Sequence, residues 1–260
     1  MPLLLFILKK DERMRSSRLQ KPNPQDDNFL SIDVHNLITG CQAPLSLKTR
    51  PAFIHKLMER LVDAWLFRLE QYEKLNLLSL NNGPNRVGSG GYGYTDELPK
   101  TDFDGIHIRT VDIWGSCAAQ IFAAVSPQMH EEFALQHEKR WLERFGLTYY
   151  GCCEPLHKKI HILKNIPNLR KISISPWADK KEAVQNIGDQ YVISLKPSPA
   201  LFAADNWDPE EARKQLYTDL EKTKGCVVEI IMKDISTCCN QPNRLWEWAN
   251  IAREVTEEFV

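Results

Sequence analysis

The residues best suited to chemistry lie in one turn. Phe145 to Lys159 reads FGLTYYGCCEPLHKK: a short apolar and aromatic run ends in Gly151, two adjacent cysteines and Glu154, and Pro155 then opens a helical segment. Proline suits a first helical position because its missing N–H has no intrahelical partner there. Cys152, Cys153 and Glu154 therefore fall in a strand-to-helix loop, where parallel α/β folds gather their sites on one face. Further candidates follow later strands: Lys196, then Lys233 and Asp234, with Cys238 and Cys239 just beyond. Thiolates and carboxylates bind zinc in tetrahedral sites, and a catalytic zinc keeps one position open. One cysteine of Cys152 and Cys153, Glu154, and one of Cys238 and Cys239 would supply three ligands. Neighbouring side chains of an extended chain point opposite ways, so each pair would offer a single sulfur. The alternative is that these thiols pack as small hydrophobes, since adjacent cysteines lack the CxxC spacing of established zinc motifs.

The other candidates also carry two readings. Lys196 can clamp a carboxylate or phosphate as a point charge, or stand solvated. Asp234 beside Lys233 can handle a proton or form a salt bridge. Trp177 is a substrate platform or a rim residue. Asn82 and Lys233 join Trp177 as candidate substrate-binding groups, and Asp234, Lys196 and Glu154 are the candidate catalytic ones. Arg86 to Pro99 (RVGSGGYGYTDELP) is glycine-rich but lacks the lysine and hydroxyl that end a phosphate loop, which favours a substrate-side loop over a phosphate cradle.

These residues need elements to hold them. The strongest helix starts at Arg50-Pro51 and runs through Tyr72, with Ile54, Leu57, Met58, Leu61, Val62, Trp65, Leu66 and Leu69 at three- and four-residue steps. Leu75 to Leu80 and Ile106 to Val111 read as strands. Ser126-Pro127 starts a helix that Gly146 ends. Strands then alternate with helices: Leu147 to Cys152, Arg170 to Ser175, Tyr191 to Leu195 and Cys226 to Met232, separated by helices from Pro155, from Asp179 to Ile187 and from Asp208 to about Lys224. A last helix runs from about Asn243 to Glu258. That beat argues a parallel sheet in an α/β protein. Residues 1–28 read as a poorly ordered arm and 29–260 as the folded domain, with Leu37 to Thr39 a weak strand candidate.

Composition narrows the partners. With 33 basic and 34 acidic side chains there is no net field to gather phosphates, so nucleic acid is not an implied partner. The apolar run Pro2 to Leu8 is too short to cross a bilayer and has no basic region before it, so neither an anchor nor a signal peptide is read. Seven cysteines, an odd number, make a poor disulfide framework and favour a reducing cytoplasm.

Tyr149 to Pro155, with the helix-loop-strand pattern around it, resembles the uroporphyrinogen decarboxylase superfamily, which includes decarboxylases and zinc- and corrinoid-linked methyltransferases. Arg50-Pro51 with its helix resembles the early helix of that family, and Val125-Ser126-Pro127 its Ser-Pro helix start; Lys233 to Thr237 sits at the end of the last strand. The resemblance implies a (β/α)8 barrel, here incomplete at its N-terminal part, with the site on the C-terminal face. It implies zinc, a small-molecule substrate and a corrinoid carried by a partner protein. Gly151 stands where the first histidine ligand of the methyltransferases would be, and no arginine motif of the decarboxylases is found in Met1 to Asn28. The expected activity is thus a zinc-thiolate methyltransferase-like one. A decarboxylase acting on a tetrapyrrole or other carboxylated substrate, with Arg86 and Arg109 as candidate clamps, is the alternative, and a non-catalytic, truncated barrel is the third reading.

Overall fold

The computed structural model describes residues 5–7, 31–33 and 47–259. The arm at 1–28 and the strand candidate Leu37 to Thr39 fall almost wholly outside those residues. The fold is mixed α/β, built on five parallel strands: β5 (Trp114–Ala118), β6 (Leu147–Tyr150), β7 (Leu169–Ile174), β8 (Val192–Leu195) and β9 (Val227–Ile231). At the two ends, β2 (Ser31–Asp33) pairs parallel with β5, and β1 (Leu5–Ile7) pairs antiparallel with β9. The sheet order is β1-β9-β8-β7-β6-β5-β2.

Every residue of β5 to β9 is buried, because both faces of the sheet are covered. One face meets the helices. Helix α1 (Pro51–Lys74) buries Ile54, Met58, Val62 and Leu69. The chain segment after Ser126 winds as α2 (Pro127–His130), a π segment (Glu131–Leu135) and α3 (Gln136–Leu142). Then come α4 (Ile160–Leu163), α5 (Lys180–Ile187), α6 (Pro209–Lys222) and α7 (Asn243–Glu258). Asp179 and Asp208 cap α5 and α6 by accepting the backbone N–H of Glu182 and Glu211. Ile172, Ile174, Ile193, Leu195, Val228 and Ile230 fill the core on this side.

The opposite face carries polar side chains, Lys171, Ser173, Ser194 and Glu229 among them. Lys171 on β7 reaches across β8 to Glu229 on β9 at 2.7 Å, with both side chains fully buried. The same ammonium lies 5.4 Å from the ring centre of Trp114 on β5, across β6. A hairpin of β3 (Arg86–Val87) and β4 (Gly91–Tyr92) covers this face, and the Tyr92 carbonyl accepts from Lys171 Nζ at 2.7 Å. Gly88, in the hairpin turn, has φ +58, and a Cβ there would sit 2.2 Å from the Tyr149 ring. Gly88→Ala should therefore destabilise the protein by about 2–4 kcal/mol in urea unfolding, from the left-handed backbone and the overlap together; a loss below about 1 kcal/mol would mean the hairpin is not seated on Tyr149.

Two expected strands are absent. Leu75 to Leu80 forms no ladder: Leu75 and Leu77 are exposed, and the amide of Asn81 takes the place of a strand by accepting from Trp114 N–H at 2.8 Å and donating to its carbonyl at 3.1 Å. Over Ile106 to Val111 the Asp104 carboxylate captures the N–H groups of Ile106 and His107, a local turn that competes with strand pairing. The strand begins at Trp114 instead.

Candidate functional site

The site is assembled at the C-terminal ends of β6, β8 and β9, under the tip of the β3–β4 hairpin. Gly151 turns the chain out of β6 with φ +97, and a Cβ at this position would come within 2.5 Å of Leu156. A histidine at that place would carry a strained backbone and would have to displace the Leu156 methyl. The next residues bend rather than extend, so the expectation that the two adjacent thiols point opposite ways is not met: Cys152 Sγ and Cys153 Sγ lie 3.5 Å apart.

Glu154 holds the bend. Its buried carboxylate accepts the backbone N–H of Cys152 at 2.8 Å and of Ala119 at 3.1 Å, while burial raises its pKa. The Cys152 carbonyl is fixed in turn by Lys196 Nζ at 2.8 Å and the Ser173 hydroxyl at 2.6 Å. Its sulfur accepts from the Ser89 hydroxyl at 2.9 Å and from Lys233 Nζ at 3.4 Å. Ser89, at the hairpin tip, accepts from both Lys196 and Lys233 at 2.8 Å. Two ammonium groups thus converge on one hydroxyl that passes its own proton toward the thiol.

This arrangement favours the Cys152 thiolate. Its pKa is lowered to about 5 by the Cys153 thiol hydrogen bond, then by the charge of Lys196, the Ser89 hydroxyl and the charge of Lys233, all against burial. Cys153 goes the other way. Its shared hydrogen bond with Cys152 and its burial raise its pKa, and its single S–H proton is divided between the Cys152 sulfur and Asp234 Oδ2, 3.2 Å from its own sulfur. Burial and the neighbouring Lys233 bring Lys196 down to about 8. Lys233 is held up, against its own burial, by Cys152, Cys153 and Asp234, whose Oδ1 is 3.4 Å away.

Of the residues expected at the site, Cys152, Cys153, Glu154, Lys196, Lys233 and Asp234 come together. The others stand differently. Asn82 donates its side-chain amide to the Leu98 carbonyl at 2.5 Å, Trp177 is exposed in the loop after β7, and Cys239 Sγ faces the Ala203 carbonyl at 3.5 Å. Cys238 is half-buried beside it. Glu154 is committed to backbone N–H groups, and among the described residues no three His, Cys, Asp or Glu side chains form a group able to hold a metal ion. Arg109, a candidate carboxylate clamp, is tied to Asp102 and Asp112. Ser89 and Ser173 are the site groups that the sequence did not single out; the only pointer to Ser89 was a small hydroxyl among glycines in a loop of functional character.

No protein-family model matches the chain, and no curated protein matches it significantly.

Proposed function

We propose that the chain is an enzyme of the uroporphyrinogen decarboxylase-like kind, a (β/α)8-type barrel whose working group is the Cys152 thiolate, taking an alkyl or methyl group from an anionic donor. The five parallel strands β5 to β9, buried along their whole length and alternating with helices, are what supports the barrel reading. One observation carries the chemistry: a thiol at a strand end receiving Ser89 and Lys233 hydrogen bonds beside a buried Lys196. In the transfer the thiolate sulfur forms a bond to the alkyl carbon. The bond from that carbon to its leaving group breaks, the electron pair departs with the leaving group, and an ammonium proton from Lys196 or Lys233 can neutralise it. The lysines also draw an anionic substrate to the pocket. Glu154 acts as a positioning residue, because it sets the backbone of Cys152 rather than facing the sulfur. The resemblance implies a corrinoid-bearing partner or a thiol as the acceptor that takes the group onward.

Brief exposure to iodoacetamide near pH 5.5, where the thiolate advantage of Cys152 outweighs its weaker intrinsic nucleophilicity, followed by peptide mapping, tests the reading. Cys152 should be labelled well ahead of Cys153, Cys238 and Cys239; a Cys152 that is slower than they are would overturn it. A second reading rests on the paired ammonium groups of Lys196 and Lys233, which could hold substrate carboxylates for decarboxylation. Release of carbon dioxide from a polycarboxylated tetrapyrrole by a Cys152→Ser variant would favour that alternative.

A further inference from the structure

We infer that Cys152 and Cys153 are an oxidation site in which a hydroperoxide converts the reduced pair to a vicinal disulfide, switching off the thiolate chemistry reversibly. The inference rests on the reading of Cys152 as the reactive thiolate. Its geometric ground is independent: the bend at residues 152–154 places two sulfurs of neighbouring residues on the same side, 3.5 Å apart, where an extended chain would separate them. They need close by only about 1.5 Å to reach a disulfide bond length.

The two thiols are also differentiated as attacking and resolving groups. Cys152 is surrounded by donors, Ser89 at 2.9 Å and Lys233 at 3.4 Å, and its sulfur attacks the peroxide oxygen. The O–O bond breaks and Cys152 becomes a sulfenic acid. The departing hydroxide or alkoxide takes a proton from the Lys196 or Lys233 ammonium, which solvent restores. Cys153 then attacks the Cys152 sulfur. Its proton passes to Asp234 Oδ2, 3.2 Å from the Cys153 sulfur and partly exposed, as the S–O bond breaks; the departing hydroxide takes a proton from the Lys196 or Lys233 ammonium and leaves as water. Two electrons pass from the dithiol to the peroxide, giving one disulfide and two waters when the oxidant is hydrogen peroxide. A bridge between adjacent residues closes a small, strained ring, so a dithiol reductant should reopen it.

The test uses the full chain with equimolar hydrogen peroxide and mass mapping of the tryptic peptide Phe145 to Lys158. The expected product is two hydrogens lighter than the reduced peptide, resists iodoacetamide, and regains two alkylatable thiols after dithiothreitol. In Cys153→Ala, a Cys152 sulfenic acid should be trapped by dimedone. Sulfinic acid on Cys152 with Cys153 still free in the wild type, or a bridge from either residue to Cys238 or Cys239, would overturn the inference. If untreated protein shows fast labelling of Cys152 but no vicinal bridge forms, only the oxidation site fails. If Cys152 is neither labelled nor oxidised, the proposed function fails with it.

Discussion

Replacing Glu229 with glutamine should cost the protein about 3–5 kcal/mol of stability, because it leaves the Lys171 ammonium buried without its counter-charge. The side chains are both fully buried and 2.7 Å apart, so water cannot replace the lost partner. Glutamine preserves volume and can still accept from Ser194, whose hydroxyl donates to Glu229 Oε1. The loss therefore reports charge rather than packing. For a chain of this size it corresponds to a fall in Tm of roughly 6–20 °C, readable by calorimetry beside urea unfolding. Lys171→Met should be comparably damaging, since it strands the carboxylate and also frees the Tyr92 carbonyl that fastens the β3–β4 hairpin. Combining Lys171→Met with Glu229→Leu should recover much of the loss, because no unpaired buried charge remains. Single variants that each lose less than about 1 kcal/mol would show that the face under the β3–β4 hairpin is open to water.

That buried pair also marks where sequence reasoning stops. The α/β class was legible because β6 to β9 are short strand-like runs between helices with strong signals: the four- and seven-residue spacing of Ile54, Met58, Val62 and Leu69, the Asp179 cap with Gly188, and Asp208-Pro209. Lys171 and Glu229 were not legible as a pair. A charged residue alternating with isoleucine or valine reads as a solvent-facing position, and it is the β3–β4 hairpin lying over that face that takes it out of water. Leu75 to Leu80 and Ile106 to Val111 looked like strands because composition cannot show that the Asn81 amide and the Asp104 carboxylate occupy the hydrogen-bonding groups instead. At the site, Lys196, Lys233 and Asp234, picked out by their strand-end positions, lie together around Ser89, Cys152 and Cys153. Strand-end position did not reveal Ser89, which arrives from a hairpin more than fifty residues upstream of Cys152. It also treated Glu154 as a reacting group, whereas its two backbone hydrogen bonds make it the support of the turn.

The reactivity of Cys152 should be nearly constant from pH 6 to pH 8, while an ordinary thiol with a pKa near 8.5 gains nearly a hundredfold in thiolate over about the same range. The reason is that its pKa of about 5 keeps it ionised throughout. A stopped-flow or quench series with iodoacetamide would show a rise through about pH 5 followed by a plateau; a rate that keeps climbing to pH 9 would contradict the assigned thiolate. The advantage is largest at low pH, because a thiol of lower pKa is also a weaker intrinsic nucleophile, by about 25- to 60-fold for a shift of this size. Cys153→Ala should move the midpoint upward most, by removing the first of the stabilising hydrogen bonds, whereas Cys153→Ser retains a donor and should move it less. Lys196→Met and Lys233→Met should also raise it. Iodoacetate should gain on iodoacetamide below pH 8, where Lys196 is charged, and lose that gain above it. The linked stability has a definite sign. A depressed thiol pKa contributes stability that is present above the unfolded value near 8.5 and disappears as pH falls toward about 5, so the wild type should lose stability relative to Cys152→Ser across that window.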